Sequence, residues 1–194
     1  MESEFSFNKK RIWRLCLKCA WALDCDPKVT KDWRDVVAIP YRFATAKLLF
    51  GTAAQESALR WERQRSPRWD GKVGAFSKWQ LEQASIMATL NGLKRKPGRL
   101  AKATMFLFDD THATTDWASL PLDTILWMLR MNDNDYLGVL LCREHYRRIS
   151  SPIPSDLEGQ ARYWKQFYNT IAGKGTIVEY LANWERYCAA TVAE

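Results

Sequence analysis

The stretch FGTAAQESALRW, residues 50–61, decides how the chain is read. Small and apolar residues run without a charge up to Glu56, which stands between Gln55 and Ser57. Upstream, Ala44, Leu48 and Gly51 recur at helical steps after Pro40, so a helix is expected from that proline toward Leu59. Gly51, Ala53 and Ala54 leave room for neighbouring helices to approach. A carboxyl group at the end of such a segment meets apolar walls, and burial there penalises its anion and raises its pKa. The stretch predicts a core helix that ends in an acid kept protonated near neutral pH.

The same periodicity extends outward in both directions. Ile12, Leu15, Cys16, Cys19 and Leu23 mark an amphipathic helix that stops before Pro27. From residue 60 comes the polar segment RWERQRSPRWDGKVGAF, with Pro67 and an Asp70-Gly71 turn signal. It is the one place where strands, in a small hairpin, are expected. Ser77 and Gln80 fit a capping box for a helix over 77–90. Further helices are expected over 100–108, over 122–131 after Pro121, from a cap at Asp135 through Tyr146, from a cap at Ser155 or Asp156 through Phe167, and over 177–190. The fold class is mainly α. No linker divides the 194 residues, which are read as a single domain with an N-terminal helical extension over 1–40 and a core over 41–190.

Composition narrows the classes. Net charge is +7, which favours polyanionic partners: nucleic acid, anionic lipid or the carboxylate-bearing bacterial wall. The basic residues are dispersed and no nucleic-acid-binding module is recognisable, so nucleic acid ranks low as a partner. No run reaches the length of a membrane span, and the start MESEFSFNKK lacks an apolar signal region. Five cysteines, an odd number, suit free thiols in a reducing compartment. Cys16, Cys19 and Cys25 invite a metal reading, but without a second CxxC they read as buried thiols. Neither a metal nor an organic cofactor is expected. Ten tryptophans permit sugar or base stacking without requiring either.

The sequence after Glu56 gives the acid a context. Gln55-Glu56-Ser57 is followed by the polar loop, by Gly74-Ala75, and by Trp79-Gln80-Leu81-Glu82. Later come His145-Tyr146 and YWKQFYNTIAGKGT over 163–176. In this order the patches resemble the lysozyme-like superfamily, in particular lytic transglycosylases and goose-type lysozymes, and among them a group of tailed-phage proteins. The resemblance spans residue 50 to the last helix and leaves the first forty residues uncovered. It implies a lysozyme-like helical domain that cuts the bonds between N-acetylmuramic acid and N-acetylglucosamine in peptidoglycan. Glu56 would be the acid/base; Ser57, Gln80 and Trp79 would orient it or the sugar; Tyr168-Asn169 would lie beside the acid. A transglycosylase needs no second carboxylate, whereas a hydrolysing relative uses one, for which Asp70 and Glu82 are the candidates.

Each of these residues also has a plain structural role open to it. Ser57 can bond its own helix end, Gln80 can serve the capping box, Asp70 can be a turn residue, and Glu82 can favour a helix dipole. His145 reads as a satisfied core or interface histidine. Tyr163, Trp164, Phe167 and Tyr168 follow helical spacing and read as core, with Trp164 or Tyr168 able to reach sugar, while Trp61, Trp69 and Trp79 flank the expected cleft. Ser77-Lys78 stand where the resembled segment has Gly-Leu, and bulkier side chains there would crowd a sugar. From that exchange follows the alternative of a structural virion protein, in the tail or among ejected proteins, with the same fold and little activity. The expected partners are peptidoglycan glycan strands and other virion proteins. The chain would be made in the host cytoplasm and act from the virion or in the periplasm.

Overall fold

The computed structural model describes residues 4–24, 32, 34, 39–60, 75–108, 115–130, 134–170 and 173–193. Helix α1, Glu4–Asp24, is followed by α2, Pro40–Ser57, which has proline in its first turn and ends where Ala58 takes a left-handed conformation (φ 53°). Two short antiparallel strands, β1 (Ala75–Phe76) and β2 (Leu81–Glu82), pair Ala75 with Glu82 and Phe76 with Leu81. Then come α3 (Gln83–Lys94), α4 (Pro97–Phe108), a 3-10 turn (Thr115–Ser119), α5 (Leu122–Arg130), α6 (Asp135–Arg147) and α7 (Leu157–Trp164). A π-helical turn, Lys165–Asn169, extends α7, and α8 (Ile177–Tyr187) and α9 (Ala189–Ala193) close the chain. The fold is mainly α, as expected. No helix among the described residues is long and apolar enough to cross a membrane.

The hairpin corrects one expectation. Ser77 and Gln80 do not form a capping box; they bound a tight turn in which Gln80 N donates to Ser77 O at 3.1 Å. Both residues have positive φ, 63° and 48°, which no helical first turn allows. The helix starts six residues later than expected, with Glu82 as its N-cap, and runs on to Lys94. β1 falls at the end of the segment where strands are expected, but β2 lies where helix is expected. Asp135 is likewise not the cap of α6. Asn134 is, accepting from Leu137 N, while Asp135 is buried and paired with Lys78 (2.8 Å) and Arg11. The caps of α7 at Asp156 and of α8 at Thr176, the latter a reciprocal box with Glu179, satisfy helix-end donors in the usual way.

Helix α2 runs through the centre. Leu48, Leu49, Phe50 and Ala53 are fully buried, with α1, α6, α7 and α8 packed around them. Helix α1, in the segment set apart as an extension, contributes Ile12, Cys16, Cys19 and Ala20 to the same cluster. Trp13, Trp79, Trp117, Trp164 and Trp184 are buried, so packing absorbs much of the tryptophan excess. Phe50 sits between Trp13 (5.4 Å between centroids) and Trp184 (6.4 Å). The end of α1 is tied to α4 and α6 by charge. Asp24 accepts two bonds from Arg143 (2.8 and 3.0 Å) and one from Arg147 (3.1 Å), while Arg99 pairs with Glu144 and donates to Leu23 O at 2.7 Å. Except for the exposed Arg147, these charges are largely buried, and each has an opposite charge as partner, which offsets the cost of taking them out of water.

Gly51 permits the closest of these approaches. A methyl group there would lie 2.1 Å from the Tyr180 hydroxyl oxygen and 3.0 Å from Trp184. Tyr180 is buried against α2, so there is little room to relax. Gly51→Ala should therefore destabilise the protein by about 2 kcal/mol or more, despite alanine's better helix propensity, as read by chemical denaturation.

Candidate active site

Glu56 is the penultimate residue of α2, where the helix emerges from the core. Its carboxyl borders an open cavity of about 590 Å³, within the range of small-molecule sites. Gln55 and Glu56 of α2 line it, with Ala75, Gln80, Leu81 and Glu82 of the hairpin, Ser85 of α3, His145 of α6, and Trp164, Phe167, Tyr168 and Asn169. The loop of Thr170, Gly173, Lys174 and Gly175 completes the rim. Polar and aromatic groups from several elements thus line one cavity with this carboxyl on its wall.

The electrostatics of that carboxyl follow from its walls. Burial raises the Glu56 pKa, the indole N–H of Trp164 lowers it by donating to Oε1 at 2.9 Å, and the charge of Glu82 raises it; the balance is about 7. Trp164 is itself held hard. Its ring packs on Tyr180 at 5.3 Å, and a methyl group at Gly175 would come within 2.7 Å of the indole. The acid is therefore neutral below about pH 7, and an indole N–H is in place to receive the anion when it forms.

A second hydrogen-bonded group lies in the same cavity. His145 Nε2 is 3.0 Å from Phe167 O, and Ser85 Oγ is 2.7 Å from His145 Nδ1. A carbonyl can only accept, so Nε2 carries the proton and Nδ1 accepts from the Ser85 hydroxyl. Burial lowers the His145 pKa, with Arg148 acting the same way against the Phe167 bond, which keeps the ring neutral near pH 7. With its only proton committed to His145, Ser85 offers lone pairs to anything in the cavity. Tyr168 stands edge-on to His145 at 5.1 Å and donates to Trp79 O at 2.6 Å, locking the π-turn to the hairpin. Thr170, with φ 64°, closes that turn in a conformation rare for a β-branched residue, and it lines the cavity.

Of the residues expected here, Glu56, Gln80, Glu82, Tyr168 and Asn169 are brought together around the cavity. Two are not. Trp79 is fully buried and its Nε1 donates to Leu49 O at 2.8 Å; it is a strut under the hairpin, not a sugar platform. Ser57 is buried, with its hydroxyl turned back to Ala53 O at 2.9 Å, the local helix-end bond. Asp70 lies outside the described residues, as do Trp61 and Trp69. Glu82 stands at the N-cap position of α3, with no capping bond from its side chain. Ser85 was not singled out by the sequence, and His145, read as core or interface, proves to line the cavity. Ser77 and Lys78 do not crowd it: both are buried off the cavity lining, and Lys78 is engaged by Asp135.

Cys16, Cys19, Cys142 and Cys188 are free and buried, and burial pushes their thiols up. Cys25 and His112 lie outside the described residues. No cluster of three or more metal-ligating side chains occurs among the described ones. Comparison with protein-family models, with curated proteins and with solved structures yields no match.

A raised carboxyl pKa makes stability depend on pH. The folded protein holds the Glu56 proton to about pH 7, whereas the unfolded chain releases it near 4.5, so stability is lost as pH rises through that window. At 1.36 kcal/mol per pH unit the loss is about 3 kcal/mol. Glu56→Gln removes it. Denaturant unfolding at pH 5 and pH 8 should show the variant gaining on the wild type by about that amount at the higher pH.

Proposed function

We propose that this chain is a lysozyme-like, peptidoglycan-cleaving glycosidase of the lytic transglycosylase kind, cutting N-acetylmuramic acid–N-acetylglucosamine bonds with Glu56 as its acid/base. The observation that carries the reading is a single carboxyl group, protonated to about pH 7, on the wall of an open polar and aromatic cavity. A glycosidic oxygen leaves only if it is given a proton, and a carboxyl with a pKa near the working pH is suited to that transfer.

In this scheme Glu56 donates its proton to the leaving oxygen as the C1–O bond breaks. The carboxylate so formed keeps the Trp164 N–H bond. It then takes the proton of the same sugar's 6-hydroxyl as O6 bonds to C1, which yields a 1,6-anhydro end and restores the acid. No second carboxylate takes part. Gln80 on the hairpin and Tyr168-Asn169 on the π-turn, which line the same cavity as the acid, would supply polar contacts to the sugar. The resembled segment also fits the backbone locally, because Ser77 has the positive φ that a glycine at that position would adopt freely. Glu82 lines the cavity and would be the general base if water, rather than the 6-hydroxyl, attacked.

We place the protein in a tailed-phage particle, opening the wall locally during genome delivery, with glycan strands as substrate and other virion proteins as neighbours. The exchange of Gly-Leu for Ser77-Lys78, which suggested an inert virion component, loses its force because neither side chain borders the cavity.

Purified protein should clear peptidoglycan suspensions, and mass analysis of the fragments should find 1,6-anhydromuramic ends. Glu56→Gln should slow clearing by about a thousandfold. The rate should fall tenfold per pH unit above about pH 7, where Glu56 loses its proton. Reducing ends would reassign the attack to water. No clearing, or clearing equal to that of Glu56→Gln, would leave a structural virion role.

A further inference from the structure

A second depression, of about 370 Å³, lies beside the acid cavity, and Gln55, Lys174 and Gly175 contribute to the lining of both. The rest of its wall is one face of α8, where Glu179, Ala182, Asn183 and Arg186 recur at steps of three and four. The opposite face of α8, with Tyr180 and Trp184, is in the core. The shared wall is built rather than loose. Lys165 Nζ donates to Gly173 O and to Asn169 Oδ1, both at 2.8 Å, and Gly175 packs on the Trp164 indole. Asn183 Nδ2 donates to Gln55 Oε1 at 2.8 Å, joining α8 to α2 directly beside Glu56.

The charges on this wall are unequal. Lys174 and Arg186 are exposed, and neither forms an ion pair among the described residues. The one carboxylate there, Glu179, is engaged at the start of α8: its Oε2 accepts from Thr176 N at 2.7 Å and from Thr176 Oγ1 at 3.0 Å. Two cations without a carboxylate partner, Arg186 lying over the Tyr187 ring at 5.9 Å, therefore flank a depression that shares lining residues with the acid cavity. An anionic group held there would gain charge-assisted bonds, the planar guanidinium of Arg186 being suited to a carboxylate.

We propose that the depression formed by Lys174, Gly175, Asn183 and Arg186 is a second subsite that takes a carboxylate carried on a side group of the glycan whose sugar rings lie in the acid cavity. This rests on the reading of Glu56 as a glycosidic acid and adds a substrate requirement to it. Anionic, side-group-bearing strands are preferred over neutral ones. The preference belongs to binding, because the depression lies to the side of the carboxyl that moves the proton.

The test measures binding and turnover separately on soluble chains of three kinds: intact strands with peptide stems, strands stripped of peptide so that only the lactyl carboxylate remains, and intact strands whose carboxylates are all amidated. Calorimetry with Glu56→Gln should show about tenfold weaker binding to the amidated strands. Adding Arg186→Gln should cost about tenfold on carboxylated strands and nothing on amidated ones, with Arg186→Lys recovering part of the loss. In the otherwise wild-type enzyme, Arg186→Gln should raise KM on carboxylated strands with kcat unchanged. A preference for intact over stripped strands assigns the carboxylate to the peptide, and equal binding of the two assigns it to the lactyl group. Turnover with carboxylate-independent binding overturns the subsite alone. Carboxylate-dependent binding without turnover overturns the glycosidic acid and leaves the subsite standing. Failure to bind any strand overturns both.

Discussion

The contact on which the site depends is the one between the Glu56 carboxyl and the Trp164 indole. Two opposing effects meet there. Removing the carboxyl from water favours its neutral form, and one well-placed N–H favours the anion. Without the desolvation, Glu56 would be an ordinary ionised glutamate with no proton to give. Without the indole, the anion formed on giving the proton would lack a donor in a poorly solvated place. A balance near 7 is what the proposed acid/base role requires of a single group at neutral pH.

The fold can be understood as the means of holding that pair. Gly51 lets α8 approach α2 closely enough for Tyr180 to back the Trp164 ring, and Gly175 lets the rim loop press on the indole from another side. The ion cluster of Asp24, Arg99, Arg143 and Glu144 fixes α6 against α1 and α4, and with it the histidine that orients Ser85. Trp79 and Tyr168 tie the hairpin to the π-turn across the cavity. The floor is thus set by helix packing and the rim by short irregular segments, an arrangement in which a rigid scaffold carries polar groups on turns.

Much of the helical framework was legible because its apolar residues recur at three- and four-residue steps and its ends carry proline, asparagine or aspartate. Glu56 was legible for a related reason: a lone carboxyl closing an apolar run is locally inconsistent, and such conflicts mark functional positions. The hairpin differs from expectation because Ser-x-x-Gln is a capping box by pattern, whereas Ser77 and Gln80 adopt left-handed conformations at the two ends of a tight turn. Trp79 flanks the expected cleft in sequence, but its indole is buried and bonds the Leu49 carbonyl in the core. Ser85 carries no periodic or motif signal at all. It becomes visible only through His145, sixty residues away in sequence and 2.7 Å away in space.

The central claim is that the protein keeps a proton on Glu56 under conditions where free glutamate is ionised. Carbon-detected magnetic resonance on protein labelled at the glutamate side-chain carboxyls, with Glu56→Gln identifying the resonance, follows that proton directly. The structure predicts a midpoint of about 7, rising further in Trp164→Phe as the indole donor is removed. A midpoint near 4.5 in the wild-type protein, unmoved by Trp164→Phe, would mean that the carboxyl is solvated like any surface glutamate, and the account of the site built on it would be wrong.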